Sequence, residues 1–272
     1  MARTILERAL AGDPFQDLGI VDMHCHLGPN SEYWFPDADI DAMLADCDRV
    51  GIRQVFVCPH IALYVDHLAG NRQTEAAIAR HPDRVRGYVC FNPHLDDDDS
   101  EICRCYENPG FIGVKVHPSA HRYPLNGPRY QPMFAALREY GGFLLAHTWQ
   151  TDPNCSSALF DDIATTYPDI NIVLAHAFGL RDGVFEAIRL VNRYPNLYLD
   201  TSGCDFSHTS IEEIVAAADP GKILFGSDLP YHDVRMPVSR IFFADMDDSL
   251  KRRILRDNVL ELLAKNPVRV AR

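Results

Sequence analysis

A single (β/α)8 TIM barrel, with a short N-terminal helix and closing C-terminal helices, is the α/β fold that this sequence predicts. Three observations predict it. Eight short strand-like segments, some of them near-continuous apolar runs such as Ile172-Val173-Leu174-Ala175, each precede a helix-like segment. The unit recurs at roughly 25 to 33 residues along a 272-residue chain, a length that one large α/β domain fills. No Gly-x-Gly-x-x-Gly follows the first strand, which argues against an open doubly wound sheet. Neither a linker nor a compositional break divides the chain, so residues 1–272 are expected to form one domain.

The elements follow in order. Met1 to Leu10 reads as a short amphipathic helix, because Arg3, Glu7 and Arg8 interrupt what a secretory signal would need as an apolar run. Gly19 to His24 is the first strand, and Asp37 to Arg49 a helix with Ile40, Met43, Leu44 and Cys47 at helical spacing. Ile52 to Cys58 is a strand stopped by Pro59, followed by a helix over His67 to Arg80. Val85 to Phe91 is the third strand, and Asp97 to Glu107 a weakly patterned helix. Phe111 to Val116 is a strand closed by His117-Pro118, with a long loop before the helix Gln131 to Tyr140, whose Pro132 suits a first turn. Phe143 to Ala146, Ile170 to Ala175, Leu197 to Asp200 and Ile223 to Gly226 are the remaining strands. Ser156 to Tyr167, Gly183 to Tyr194, Ser210 to Ala218, Val238 to Phe243 and Ser249 to Ala264 are the remaining helices.

Composition narrows the function. The net charge of −12 supplies no basic stripe to meet phosphates, so nucleic acid is not an expected partner. No run of about 18 apolar residues exists to span a membrane. The acidic run Asp96-Asp97-Asp98-Asp99 reads as a solvated loop and helix start. Eight scattered cysteines, several within apolar strands, read as reduced buried thiols, and a cytoplasmic enzyme is the expected class.

The chemistry gathers at strand ends, where a barrel of this kind carries its site. His24 and His26 lie two apart on a strand and so share a face. Taken alone they are either a half-site for a cation such as zinc or a pair of satisfied polar residues. His60, His94, His117, His147 and His176 then fall at the ends of strands two to six. Lys115 stands beside His117, and Gly226-Ser227-Asp228-Leu229-Pro230 ends strand eight. Packing alone does not explain so many polar groups there, because buried polar groups need partners.

The constellation Asp22-Met23-His24-Cys25-His26, Gly113-Val114-Lys115-Val116-His117-Pro118, His147, His176 and Gly226-Ser227-Asp228-Leu229-Pro230 resembles the amidohydrolase superfamily. It is most similar to the branch of small metal-dependent barrels that holds hydrolases and non-oxidative decarboxylases. The resemblance implies that His24, His26, His147 and Asp228 bind one divalent metal, with Zn2+ expected and Mn2+ the alternative. It further implies a two-metal variant in which a carboxylated Lys115 and His176 complete the second site; the one-metal form is the expectation. Asp228 and His176 are the implied catalytic pair, and Asp22 an orienting residue.

Substrate contacts are expected from Lys115, His117, Trp34 and Arg122. Trp34 sits in the aromatic cluster Tyr33-Trp34-Phe35-Pro36, which either overhangs the barrel mouth or anchors its own loop. Arg122 could clamp a carboxylate or simply face solvent. The first expectation for function is a metal-dependent hydrolase, in which a metal-activated water attacks the carbonyl of a lactone, ester or amide of a small, acidic organic substrate. The alternative is a metal-dependent decarboxylase of an aromatic or unsaturated acid. The expected partner is a small molecule, and the resemblance adds a homo-oligomer with no interface identified.

Overall fold

The computed structural model describes residues 3–30, 32–203 and 210–269. Helix α1 (Ile5–Ala11) is capped by Thr4 and Glu7, which satisfy each other's backbone N–H groups. Eight parallel strands then pair strictly in chain order: β1 (Ile20–Leu27), β2 (Ile52–Pro59), β3 (Val85–Cys90), β4 (Phe111–Val116), β5 (Phe143–His147), β6 (Ile172–Ala175), β7 (Leu197–Asp200) and β8 (Ile223–Leu224). Helices cover the outside: α2 (Ile40–Val50), α3 (His60–Tyr64), α4 (His67–Arg80), α5 (Ser100–Tyr106), α6 (Pro118–His121), α7 (Gln131–Tyr140), α8 (Phe160–Thr166), α9 (Arg181–Arg193), α10 (Ser210–Ala217), α11 (Arg235–Phe243), α12 (Asp248–Arg252) and α13 (Asn258–Lys265). This is the expected (β/α)8 barrel.

Strand alternation divides the core in two. Met23, Phe56, Tyr88, Ile112, Phe143, Leu145, Val173 and Leu224 fill the barrel, while Ile20, Val55, Val114, Leu144, Leu174 and Leu199 meet the helices. Strand β1 departs from the pattern where the site begins. Asp22 faces Val55 and Cys25 faces Val57, so three steps on β1 match two on β2. This bulge lets Met23 and His24, neighbours in sequence, both turn inward. The Tyr88 hydroxyl donates to the Met23 carbonyl at 2.8 Å, so the bulged backbone keeps a partner.

The seam between β8 and β1 is irregular. Met23 N donates to Phe225 O (3.1 Å), Asp228 N to His24 O (2.8 Å) and His26 N to Leu229 O (2.7 Å). The backbone that closes the barrel is therefore the backbone that carries His24, His26 and Asp228.

The structure adds two short helices that the sequence reads as loop. Helix α3 starts directly after Pro59. Helix α6 has Pro118 in its first turn, where a missing N–H costs nothing, and His117 as its cap. The expected continuous C-terminal helix is divided by a π-helical turn at Arg253–Asp257. There the Ile254 carbonyl turns aside to accept from Phe225 N at 3.1 Å, which ties the helix to the barrel floor. The acidic run is not wholly solvated. Asp96 accepts from Asn92 N at 2.7 Å and meets His67 Nε2 at 2.8 Å, half under the surface of the β3–α5 loop. Seven of the eight cysteines lie among the described residues, all as free thiols.

Candidate active site

The C-terminal strand ends surround a cavity of about 290 Å³. His26, Lys115, His117, His147, His176 and Asp228 form its polar floor and sides, and Tyr33, Tyr64, Trp149 and Tyr231 supply aromatic walls. Glu32, Gly203 and His232 complete the lining.

At the floor, one ligand atom each from His24, His26 and Asp228 lies within 4.8 Å of the others. Hydrogen bonding behind the rings fixes which nitrogen each offers. His24 donates Nδ1–H to Asp200 Oδ2 at 2.7 Å, and His26 donates Nδ1–H to the Cys58 carbonyl at 2.9 Å. Both Nε2 lone pairs therefore face forward. Asp228 Oδ1 stands 3.2 Å from His26 Nε2 and 3.7 Å from His24 Nε2, yet it is buried and accepts no hydrogen bond from the described residues. Two imidazole lone pairs and an orphaned carboxylate oxygen are the donor set that a divalent cation satisfies. Electrostatics agree. Burial, helped by Lys115, pushes the His24 imidazole down to about 3, so it stays neutral. Burial opposes ionisation of Asp228, but the facing His176, His26 and His24 rings hold its carboxyl well below the ordinary range.

Lys115 comes from the C-terminal end of β4 and is 1% exposed. Its Nζ lies 2.8 Å from His24 Nε2, donating toward that lone pair, and burial lowers its pKa against the pull of Asp228. Asp22 is an orienting residue by position: its Oδ1 accepts from His24 N and Ser227 N at 3.2 and 2.9 Å, bridging β1 to the segment after β8.

His176 sits in a strained segment. His176, Ala177 and Phe178 have φ of 63°, 44° and 65°, a left-handed turn built without glycine. It is held from several directions: Asp200 Oδ1 accepts from His176 N (2.8 Å), Thr148 Oγ1 from Phe178 N (2.9 Å), and His176 O from Gly179 N (2.7 Å). The Thr148 hydroxyl donates in turn to the Ala175 carbonyl. Behind the ring, His176 Nδ1 lies 3.0 Å from Ser202 Oγ, whose own proton goes to Asp200 Oδ1 at 2.6 Å. His24, His176 and Asp200 also bring ligand atoms within 4.8 Å of one another, with the two Nδ1 atoms and the carboxylate bonded directly or through Ser202. Burial favours neutral Asp200, but His24, His176 and Ser202 hold it ionised at about 2.

The other expected residues divide. His147 reaches the cavity but joins neither triad. Its ring stacks on His117 with centroids 3.7 Å apart and meets His176 edge-on at 4.9 Å. His117 lines the cavity as expected. Because its Nδ1 accepts from Ala120 N at 3.1 Å, its Nε2 carries the proton and acts as a donor. Trp34 and Arg122, expected at the substrate, do not line the cavity. Trp34 is 86% exposed, its loop turning Tyr33 inward instead, and Arg122 ends α6 in a left-handed, exposed position. His60 is buried behind His26 and bonded to the Gly28 carbonyl, and His94 is held by the His121 carbonyl and Arg129, so neither lines the cavity. His232 does.

Sequence reasoning passed over Asp200, Ser202, Thr148, Trp149 and Tyr231. Asp200 alone carried a signal, an acid at the inner end of strand seven. The others depend on contacts between loops far apart in the chain.

A family model described as amidohydrolase matches residues 21–264. A search of curated proteins returned no match. Among solved structures, 2,6-dihydroxybenzoate decarboxylase from Rhizobium is similar at 17% identity and a TM-score of 0.72, over 90% of this chain and 98% of that one. A 5-carboxyvanillate decarboxylase from Novosphingobium aromaticivorans, complexed with manganese and 4-hydroxy-3-methoxy-5-nitrobenzoic acid, shares 15% identity at a TM-score of 0.69 over 91% and 97%. A protein described as a probable 2-pyrone-4,6-dicarboxylic acid hydrolase, from Acinetobacter baumannii with citric acid bound, shares 19% identity at 0.67 over 90% and 99%. At these identities the likeness establishes the barrel fold.

Proposed function

The chain belongs to the amidohydrolase family, and from that membership we propose that it is a metal-dependent enzyme that removes CO2 from a small, planar, hydroxylated aromatic or unsaturated acid. The observation that carries this reading is the cavity itself, a cation-type donor set at the floor of a space walled by Tyr33, Tyr64, Trp149 and Tyr231. Aromatic faces hold a flat ring well and a bulky or extended chain poorly. The sequence puts hydrolysis first; these walls, and the two decarboxylases among the similar structures above, reverse the order.

His24, His26 and Asp228 would hold the cation, with His147 facing the same space. Zn2+ suits the imidazole-rich set, and Mn2+ is the alternative that the manganese-bound relative suggests. A bound divalent cation would supply Lewis acidity toward the substrate's oxygens. Lys115 would pair its ammonium with the substrate's anionic oxygen in a nearly dry site. His176 has its Nδ1–H on Ser202 and no hydrogen bond at its other nitrogen among the described residues, so it would take the substrate hydroxyl proton and pass it to the adjacent ring carbon. The carbon–carbon bond to the carboxylate then breaks. Its electron pair restores the ring, CO2 leaves, and the product phenolate takes a proton from solvent.

The test is incubation of metal-loaded protein with hydroxybenzoates and with lactones, following CO2 and acid release separately. CO2 release from a hydroxybenzoate, lost in His176→Asn, is the expected result. Turnover of lactones alone, without CO2, overturns it in favour of hydrolysis, the second reading, which the likeness to the pyrone dicarboxylic acid hydrolase favours. If protein expressed with zinc or manganese carries neither, the metal assignment falls.

A further inference from the structure

Above the triad, four side chains from four loops make a polar line across the cavity mouth. Asn30 follows β1, Tyr64 ends α3, His117 follows β4 and Tyr231 follows β8. Asn30 Nδ2 donates to the Tyr231 oxygen at 2.7 Å; its amide orientation is fixed, because Asn30 Oδ1 accepts from Glu32 N at 2.7 Å and Tyr33 N at 3.3 Å. At the other end His117 Nε2–H donates to the Tyr64 oxygen at 3.4 Å, a direction set by the bond from Ala120 N to His117 Nδ1. Between them the two phenol oxygens are 3.5 Å apart.

Counting protons along this line leaves one over. Both ends donate inward, so each phenol oxygen receives a proton from its flank. One phenol O–H can point to the other oxygen, but the second O–H has no acceptor among the described residues. The inner contacts, at 3.4 and 3.5 Å, are also long for hydrogen bonds to hydroxyls. Such a pair accommodates an acceptor atom placed between or beneath the hydroxyls. Tyr231 is held for that task, edge-on to Tyr33 (5.2 Å), Phe35 (5.2 Å), His60 (5.0 Å) and His26 (5.7 Å).

We propose that the Tyr64 and Tyr231 hydroxyls form a subsite for a second oxygen acceptor on the substrate, a hydroxyl, carbonyl or carboxylate oxygen separate from the group held at the His24, His26 and Asp228 end. The proposal rests on the reading that a small planar acid fills the cavity. It makes the preferred substrate a ring with polar groups at two places.

The test uses titration calorimetry on the metal-loaded protein with 2-hydroxybenzoate and its 3-, 4-, 5- and 6-hydroxy derivatives. At least one dihydroxybenzoate is expected to bind about ten-fold more tightly than 2-hydroxybenzoate, the effect of about one good hydrogen bond. The Tyr64→Phe/Tyr231→Phe double variant should lose that gain, read as the ratio of its affinities for the dihydroxybenzoate and for 2-hydroxybenzoate. Comparing variant with wild type removes the effect of the extra hydroxyl on the acid's own chemistry. A gain that survives in the double variant, or no gain for any derivative, overturns the subsite while the planar-acid reading stands. Failure of every acid to bind the wild-type protein overturns that reading and the subsite with it.

Discussion

Asp200 Oδ2 accepts the Nδ1 proton of His24 at 2.7 Å, while Oδ1 of the same carboxylate accepts the backbone N–H of His176 at 2.8 Å. One buried acid thus sets the forward lone pair of a triad histidine and the start of the turn that carries its neighbour. Carboxylates that orient metal-binding imidazoles in this way generally matter nearly as much as the ligands.

Asp200→Asn tests this pairing directly. The carboxylate faces donors on every side, Ser202 N at 3.1 Å included. An amide must turn its NH2 toward one of them. Relief at His24 would move its proton to Nε2 and remove the lone pair from the triad. Metal affinity should fall about 10- to 100-fold, read by competition with a chelating dye. Unchanged affinity would show that His24 is oriented by something else.

Thr148 holds the left-handed turn. Thr148→Val keeps the shape but leaves Phe178 N–H without its acceptor, at a cost of about 1–3 kcal/mol. Urea unfolding should show that loss, and turnover should fall as His176 is released; Thr148→Ser should recover both. A valine variant as stable and active as wild type would mean that the turn needs no such clamp.

Gly113 on β4 has no room for a methyl group, since an added Cβ would overlap the Phe143 carbonyl on β5. Gly113→Ala should force the two strands apart two residues before Lys115. The expected cost is about 1–3 kcal/mol, seen as a lower thermal midpoint. Gly221→Ala is the control, because its Cβ would meet nothing closer than 3.4 Å.

His67 gives the fold a pH dependence away from the cavity. Burial works against its charged ring, but the Asp96 carboxylate at 2.8 Å more than reverses this, so its folded pKa lies above 6.5. A raised pKa contributes stability that is fully present below the unfolded value and is lost as pH rises through the folded one. The stability difference between wild type and His67→Gln should therefore be larger at about pH 6 than at about pH 9 in urea unfolding. A constant difference would mean that the pair does not titrate in that window.

The barrel was legible because its signals are local: each strand announces itself by a short apolar run, and each helix by spacing. His24, His26 and Asp228 were legible for the same reason, since strand ends convert position in sequence into position in space. Trp34 and Arg122 show where that conversion stops. Both lie on loops after the strands, and which side chain of a loop turns inward is decided by partners elsewhere, as Tyr231 does for Tyr33. The Asp200 pairing spans 176 positions in sequence, and no periodicity could reveal it. The Asp22–Cys25 bulge is likewise invisible to a reading based on strict alternation.

The irregular closure between β8 and β1 makes the protein's breathing and its chemistry one event. His26 N and Asp228 N are two of the three amides that shut the ring, and the side chains of the same two residues face each other at 3.2 Å. Any local opening there would part the triad, so a cation gripped by both would act as a latch on the whole cylinder. Amide hydrogen exchange at these two positions should slow when zinc or manganese is added, while α7, packed on β4 across the barrel from the seam, keeps its own rate.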